Sequence, residues 1–160
     1  MPKESAGLLL YALKNKEWKV LLCHPGGPFW AKKDVGAWTI PKGEIKNGEN
    51  IITAALRETK EELGIRPQGD FIQLTPVKQK GGKVVHALAL EKDFDPNNLQ
   101  SNKFSLEWPP KNGKLYTYPE IDKVAWFNFA AAKTKILEGQ LPFINELEKI
   151  LFKNSNPSMV

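Results

Sequence analysis

Apolar residues crowd the chain from Ala6 to Leu13 and again from Trp18 to His24. The polar run Lys14-Asn15-Lys16-Glu17 separates them, so the two read as strands joined by a turn. Gly36 to Ile40 predicts a short strand. From Ile51 to Leu63 the period becomes helical: Ile52, Leu56, Thr59 and Leu63 line one face, with Glu58, Glu61 and Glu62 roughly opposite. Asn50 stands where an N-cap belongs and Gly64 where a left-handed C-cap belongs. Phe71 to Lys80 and Lys83 to Leu90 flank Gly81-Gly82, a hairpin signal, and Lys78 and Lys80 share a strand face. His86 shares its face with Val84 and Leu88 and reads as a satisfied sheet histidine. Leu115 to Tyr118 and Lys123 to Phe129 are further strands, and Ala130 to Leu137 is a short helix stopped by Gly139. Leu141 to Lys153 is a longer helix with Pro142 in its first turn, and its stripe Phe143, Ile144, Leu147, Ile150 and Leu151 reads as core. Strands on both sides of a central helix, with helix again at the end, fit a sheet sandwiched between helices.

Two stretches carry too much proline and glycine, or too many breakers, for regular structure. His24 to Asp34 contains Pro25-Gly26-Gly27-Pro28, then Phe29, Trp30, Lys32 and Lys33. It is either a plain connection or a substrate loop, in which glycines let backbone amides approach phosphate while an aromatic ring stacks on a base. Two large aromatics and two lysines near the Pro41-Lys42-Gly43 turn favour the substrate loop. Asp93 to Gly113 is the second stretch, long and irregular, and within it Phe104, Leu106 and Trp108 alternate with Ser105 and Glu107 as in a short strand. From Asn154 onward the chain reads as a loose tail, and nothing resembling a repeat or a linker divides residues 1–160 into more than one domain.

The 160 residues suffice to bury a sizeable core, and the net charge of +5 comes from lysines spread without a dense basic block. That balance suits an anionic substrate and gives no sign of stable nucleic-acid binding. Cys23 is the single cysteine, so no intramolecular disulfide forms and a reducing cytoplasm is the expected setting. Cys23 lies in an apolar strand and reads as buried and inert. The charged first residues lead straight into a strand, and neither a signal peptide nor a membrane span is expected.

An acidic face on a helix is ordinarily just solvated. Here the acids crowd the C-terminal half of the helix, where the macrodipole disfavours them, and Glu58 and Glu62 form an i,i+4 like-charge pair. The preceding turn, with Gly43, can bring backbone oxygen up to a cation held among them. The cluster reads as a metal site, and hard carboxylate donors with a carbonyl suit Mg²⁺ or Mn²⁺.

Gly43, Glu49, Arg57, Glu58, Glu61, Glu62, Gly64 and Ile65 stand at every spacing of the Nudix hydrolase signature, and the chain resembles that family. Thr59 is the one departure, in a slot that is normally apolar. The wording Trp38-Thr39-Ile40-Pro41-Lys42-Gly43 and Ala55-Leu56-Arg57-Glu58-Thr59 looks most like the dinucleoside-tetraphosphate hydrolases within it. The resemblance implies an α/β/α sandwich with a mixed β-sheet, and Glu58, Glu61, Glu62 and the Gly43 carbonyl as metal ligands. Arg57 then holds a glutamate in place, with Glu49 a candidate partner, and Lys42 contacts phosphate. The family often recruits a further acid from outside the signature; Glu107 is the choice here, with Glu120 and Asp122 as rivals. Phe29, Trp30, Lys32, Lys78 and Trp108 are the remaining substrate-binding candidates, although lysines such as Lys78 and Lys80 are equally read as solvated.

The expected reaction is hydrolysis of a phosphoanhydride bond in a nucleoside diphosphate linked to another group. A dinucleoside polyphosphate is the preferred substrate and a nucleoside triphosphate the next. An isoprenyl-diphosphate isomerase finds no matching cysteine-centred site. A non-catalytic nucleotide-binding or regulatory module is the alternative from another class, and it predicts loss of signature acids that are all present. The expected partner is a small nucleotide rather than a membrane, for a chain that is a monomer or homodimer.

Overall fold

The computed structural model describes residues 3–154. Strands β1 (Glu4–Lys14) and β2 (Glu17–Pro25) pair antiparallel through the polar turn, where Asn15 and Lys16 take positive φ. β3 (Lys42–Glu44) pairs with the start of β1, and β6 (Val84–Glu91) runs parallel to β1 on its other side. β4 (Ile72–Gln73) and β5 (Val77–Lys78) both pair with β6, and β9 (Ile121–Asn128) pairs with β2. The main sheet is mixed and seven-stranded, ordered β4-β6-β1-β2-β9 with β3 and β5 attached to β1 and β6. β7 (Lys103–Glu107) and β8 (Leu115–Pro119) form a separate two-stranded ribbon.

Strand alternation sorts the apolar residues into two cores. Leu8, Leu10, Leu21 and Cys23 point to the face covered by α1 (Ile51–Leu63), where they meet Ala54, Ala55, Leu56 and Leu63. Leu9, Tyr11, Val20 and Leu22 point to the other face, under α2 (Phe129–Lys135) and α3 (Leu141–Asn154), against Phe129, Ala132, Phe143, Ile144 and Leu147. Each fully buried leucine contributes ~1.5–3 kcal/mol. The expected mixed sheet between helices is the fold observed.

Several local expectations need correction. Gly36 to Ile40 is not a strand: only Trp38 and Thr39 form isolated bridges, to Ile136 and Cys23. The amides of Gly36 and Trp38 go instead to the carbonyls of Thr134 and Lys135 at the end of α2. The strand expected over Phe71 to Lys80 is split into β4 and β5, because Pro76 has no amide and the Thr75 amide bonds Glu146 on α3. Gly81 and Gly82, both at positive φ, close a single 3₁₀ turn, Lys80–Gly82, in place of a two-residue hairpin. The short strand expected within the long stretch is present as β7, and a 3₁₀ turn, Pro96–Asn98, stands before it. The short helix begins at Phe129, capped by Asn128, and is followed by a separate turn, Glu138–Gln140. The tail expected beyond Asn154 lies outside the described residues.

Candidate active site

The local sequence of α1 sets its ends: the Asn50 side chain accepts from the Thr53 amide at 2.8 Å, and Gly64 takes φ 91° while its amide bonds Lys60 O. Its buried face is shifted slightly from the expected one. Ile52 is 45% exposed, and Ala55 is buried alongside Leu56, Thr59 and Leu63. Thr59 is accommodated in the apolar slot because its hydroxyl donates to Ala55 O at 2.7 Å, so no buried polar atom is stranded.

The opposite face carries the acids. Arg57 is fully engaged among them: Nε and Nη2 donate to both oxygens of Glu49 at 2.7 and 3.0 Å, and Nη2 also reaches Glu44 O at 2.9 Å. Nη1 bonds Glu58 at 2.7 Å and Glu61 at 3.3 Å. The guanidinium thus ties the loop before α1 to two acids on the helix. It holds the Glu49 carboxyl down to about 2, while the carboxylates push Arg57 up from its ordinary value. Gly43 is required by proximity, since a Cβ there would overlap the Glu58 carboxyl. Glu62 is buried and accepts from the Lys42 amide at 3.3 Å. Burial first, and then the charges of Glu58 and Glu120, push it up to about 8. Glu58 is raised by burial and the neighbouring Glu61, against the pull of Arg57, and Glu120 by burial and Glu61. Burial and Lys83 lower the Lys42 ammonium.

Glu58, Glu62, Glu120 and Lys42 line one cavity of about 350 Å³ with Pro25, Thr39, Ile40 and Ile121. Two larger hollows lie elsewhere and contain none of the α1 glutamates. The tertiary fold therefore brings in Glu120 from the β8–β9 junction. Glu107, the acid expected from sequence, lies outside the cavity and accepts from the Lys111 amide in the β7–β8 turn. Asp122 is spent on His24 Nδ1 at 2.9 Å. His24 is buried and its Nε2 bonds Lys33 O at 2.7 Å, so the ring fastens the Pro25–Asp34 loop to β9.

In that loop the Gly26 amide, which the sequence offered to phosphate, is already in use. The Gly26 amide donates to Glu120 O at 2.8 Å, and a Cβ on Gly26 would strike Pro119 O. Gly27 packs on Phe104, with φ 97°. The glycines are there so the loop can lie against β8 and hold Glu120 at the rim. Phe29 is 55% exposed and meets Trp30 edge-on, with Lys33 Nζ 3.5 Å from the Phe29 ring centre; Trp30 packs partly on the core. Lys32 is exposed, and Lys78 lies at the hollow between β5 and the start of α3. Trp108 is half-buried at the end of β7. None of these five lines the carboxylate cavity.

Sequence reading also passed over Gln140. It is fully buried, its Oε1 accepts from the Ile40 amide at 3.0 Å, and its Nε2 donates to Thr39 Oγ1 at 2.8 Å. It thereby fixes the segment that delivers Pro41, Lys42 and Gly43 from about a hundred residues away, and no local pattern announces it.

The NUDIX domain family model matches residues 1–147. The chain belongs to that family. A bis(5'-nucleosyl)-tetraphosphatase [asymmetrical] of Rattus norvegicus is 40% identical over 72 residues, covering 41% of this chain and 49% of that protein. An RNA pyrophosphohydrolase of Hahella chejuensis is 42% identical over 52 residues, covering 31% of this chain and 32% of that protein. The chain thus spans about half the length, or less, of these curated relatives. Among solved structures, a C. elegans Ap4A hydrolase binary complex superposes with TM-score 0.63 at 22% identity, over 92% of this chain and 97% of that one. The NUDIX domain of Shewanella oneidensis NrtR complexed with ADP ribose gives 0.66 at 18% identity, over 94% and 89%. These two likenesses establish the shared fold.

Nudix hydrolases in general use divalent metals, and the donor chemistry here fits one: several carboxylates and a glycine turn pressed against Glu58. Among the described residues, no three Asp, Glu, His or Cys side chains are drawn tightly enough together to form a finished metal shell. Arg57 Nη1 holds both Glu58 and Glu61, at 2.7 and 3.3 Å. Among the described residues, no helix is long and apolar enough to cross a membrane.

Proposed function

We propose that this domain hydrolyses a phosphoanhydride bond in a nucleoside diphosphate linked to another group, with Mg²⁺ or Mn²⁺. A dinucleoside polyphosphate is the preferred substrate and a nucleoside triphosphate the next. The observation that carries the reading is the gathering of Glu58, Glu62 and Glu120 on one cavity beside Lys42, with Glu61 close enough to raise Glu120. Carboxyls pushed up in this way hold either a proton or a cation, and an acidic cluster next to a lysine suits a metal-bound polyphosphate.

Glu58, Glu61, Glu62 and the Gly43 carbonyl would hold the metal, with phosphate oxygens completing the shell. When bound, the ion neutralises phosphoryl charge and lowers the pKa of water. Arg57 orients Glu58 and Glu61 and is a positioning residue, since its donors are already taken. Lys42 offsets phosphate charge at the cavity wall. Glu120, at the same cavity as Glu58 and Glu62, is our choice for the carboxylate that takes a proton from attacking water, and it replaces Glu107 as the further acid from outside the signature. The 40% identity over 72 residues to a tetraphosphatase supports the dinucleotide preference, as do the aromatic rings of the loop after β2 and of the β7–β8 ribbon.

The test is a nucleotide panel with Mg²⁺ or Mn²⁺, products identified by mass spectrometry. Turnover is expected to vanish with chelator and return with metal. Binding without turnover across triphosphates, dinucleoside polyphosphates, nucleotide sugars and capped RNA would replace this reading with a non-catalytic nucleotide-binding module.

A further inference from the structure

Lys42 stands where the carboxylate cavity meets the sheet face turned away from α1. Paired residues share a face: Ser5 lies opposite Glu44 and Val85, and Gly7 opposite Lys42, so Ser5, Gly7, Lys42 and Val85 all belong to that face. Lys83, two residues before Val85, continues the row. Gly7 leaves room for the lysine stem, because a Cβ on it would lie 2.7 Å from Lys42 Cβ. Lys42 and Lys83 therefore flank β1 from β3 and the start of β6, with Ser5 between them.

Three features make this place more than two solvated lysines. Both lysines are half-buried, and the charge of Lys83 is felt at Lys42. Among the described residues neither forms an ion pair, and the one acid sharing the row, Glu44, is exposed and pairs with Lys3 at 3.8 Å. The Ser5 hydroxyl is fully buried and has no hydrogen-bond partner among the described residues. A buried hydroxyl donor left open costs ~1–3 kcal/mol, and two like charges facing each other across low-dielectric surface add to that. An anion between them relieves both.

We propose that Lys83, with Lys42 and the Ser5 hydroxyl, forms a second phosphate subsite on this face, holding the part of a polyphosphate chain that extends past the carboxylate cavity. The inference rests on the nucleotide-polyphosphate reading and narrows it to substrates whose phosphate chain reaches both places.

The test is calorimetric binding of inorganic tripolyphosphate to the whole chain in EDTA, so that a metal ion at the glutamates contributes nothing. Lys83→Ala is expected to weaken binding about tenfold or more, the scale of a charge-assisted bond. Lys83→Arg should restore most of it, Ser5→Ala should weaken it severalfold, and Lys149→Ala, an exposed control on α3, should change it less than twofold. Thermal melts identify any variant that does not fold, and Lys83→Met then replaces Lys83→Ala. Affinity unchanged in Lys83→Ala, or in Lys83→Met where it takes the place of an unfolded Lys83→Ala, or lost equally in Lys149→Ala, overturns the subsite. If tripolyphosphate binding depends on Lys83 while no nucleotide is hydrolysed with Mg²⁺ or Mn²⁺, the subsite stands and the proposed reaction fails.

Discussion

At the scale of single residues, the acids divide by what surrounds them. Glu61→Gln and Glu62→Gln remove charge with little change of shape, and turnover in each is expected to fall at least ~10²-fold at saturating Mg²⁺. Near-normal rates in both would remove these glutamates from the mechanism. Glu120 and Glu107 offer a sharper comparison, because one lines the cavity and the other accepts from the Lys111 amide. Glu120→Gln should lower kcat by ~10²-fold while Glu107→Gln leaves it within a few fold. The reverse order in steady-state kinetics would restore the assignment made from sequence. Gln140 acts at one remove: Gln140→Leu strands the Ile40 amide, which costs ~1–3 kcal/mol for a buried group left unpaired, while the Thr39 hydroxyl keeps its bond to Ile40 O. A falling kcat/KM together with a lower melting temperature, both partly rescued in Gln140→Glu, is the expected result. An unchanged kcat/KM in the leucine variant would mean that the segment before Pro41 holds itself.

At the scale of the element, α1 is a helix built against its own interest. Its acids sit toward the C-terminal half, buried enough that Glu62 is raised from 4.5 to about 8 and Glu58 is raised with it. A carboxyl whose folded pKa exceeds its unfolded value stabilises the fold fully below the unfolded value, and that stability is lost as pH rises through the folded one. For the metal-free protein the window is about 4.5 to 8, and Glu120 adds in the same direction. Allowing for coupling among these groups, the loss is of order 1–3 kcal/mol, or roughly 3–10 °C in melting temperature. Melting curves in EDTA at pH 5.5 and pH 8.5 should therefore separate, and Glu62→Gln should bring them together. A wild-type curve as stable at the higher pH would show that Glu62 ionises freely. The same element was also the most legible in sequence. Its Asn50 and Gly64 caps act within one turn, and the Arg57–Glu49 pair spans a short, rigid loop. Ile52, expected in the core, is exposed because α1 rolls so that Ala55 meets the sheet.

At the scale of the whole molecule, the site joins three parts of the chain that only the sheet brings together: the β3–α1 unit, the loop after β2 and the β8–β9 junction. Substrate choice belongs to this scale. Exposed Phe29 lies on the loop after β2, and the Phe104–Tyr118 pair and half-buried Trp108 belong to the β7–β8 region, all outside the cavity lining. A base stacked on such a ring gains ~1–3 kcal/mol, so a dinucleoside tetraphosphate is expected to have a higher kcat/KM than the matching triphosphate, with Trp108→Ala narrowing the gap. Equal constants in the wild type would leave a general triphosphate pyrophosphohydrolase. What the sequence determined by itself is the layering of sheet between helices, written in short-range periodicity, and the α1 acid set and family, written in fixed spacing; the mixed sheet came with the family resemblance. What only tertiary structure decided is which distant groups complete the site. The Gly26 amide is used on Glu120, Asp122 is taken by His24, Glu107 caps its own turn, and Gln140 holds the segment before Lys42 from far along the chain. Hydrogen-bond partners and electrostatic neighbours across strands depend on register and sheet order, and a stretch of chain carries no local mark of either.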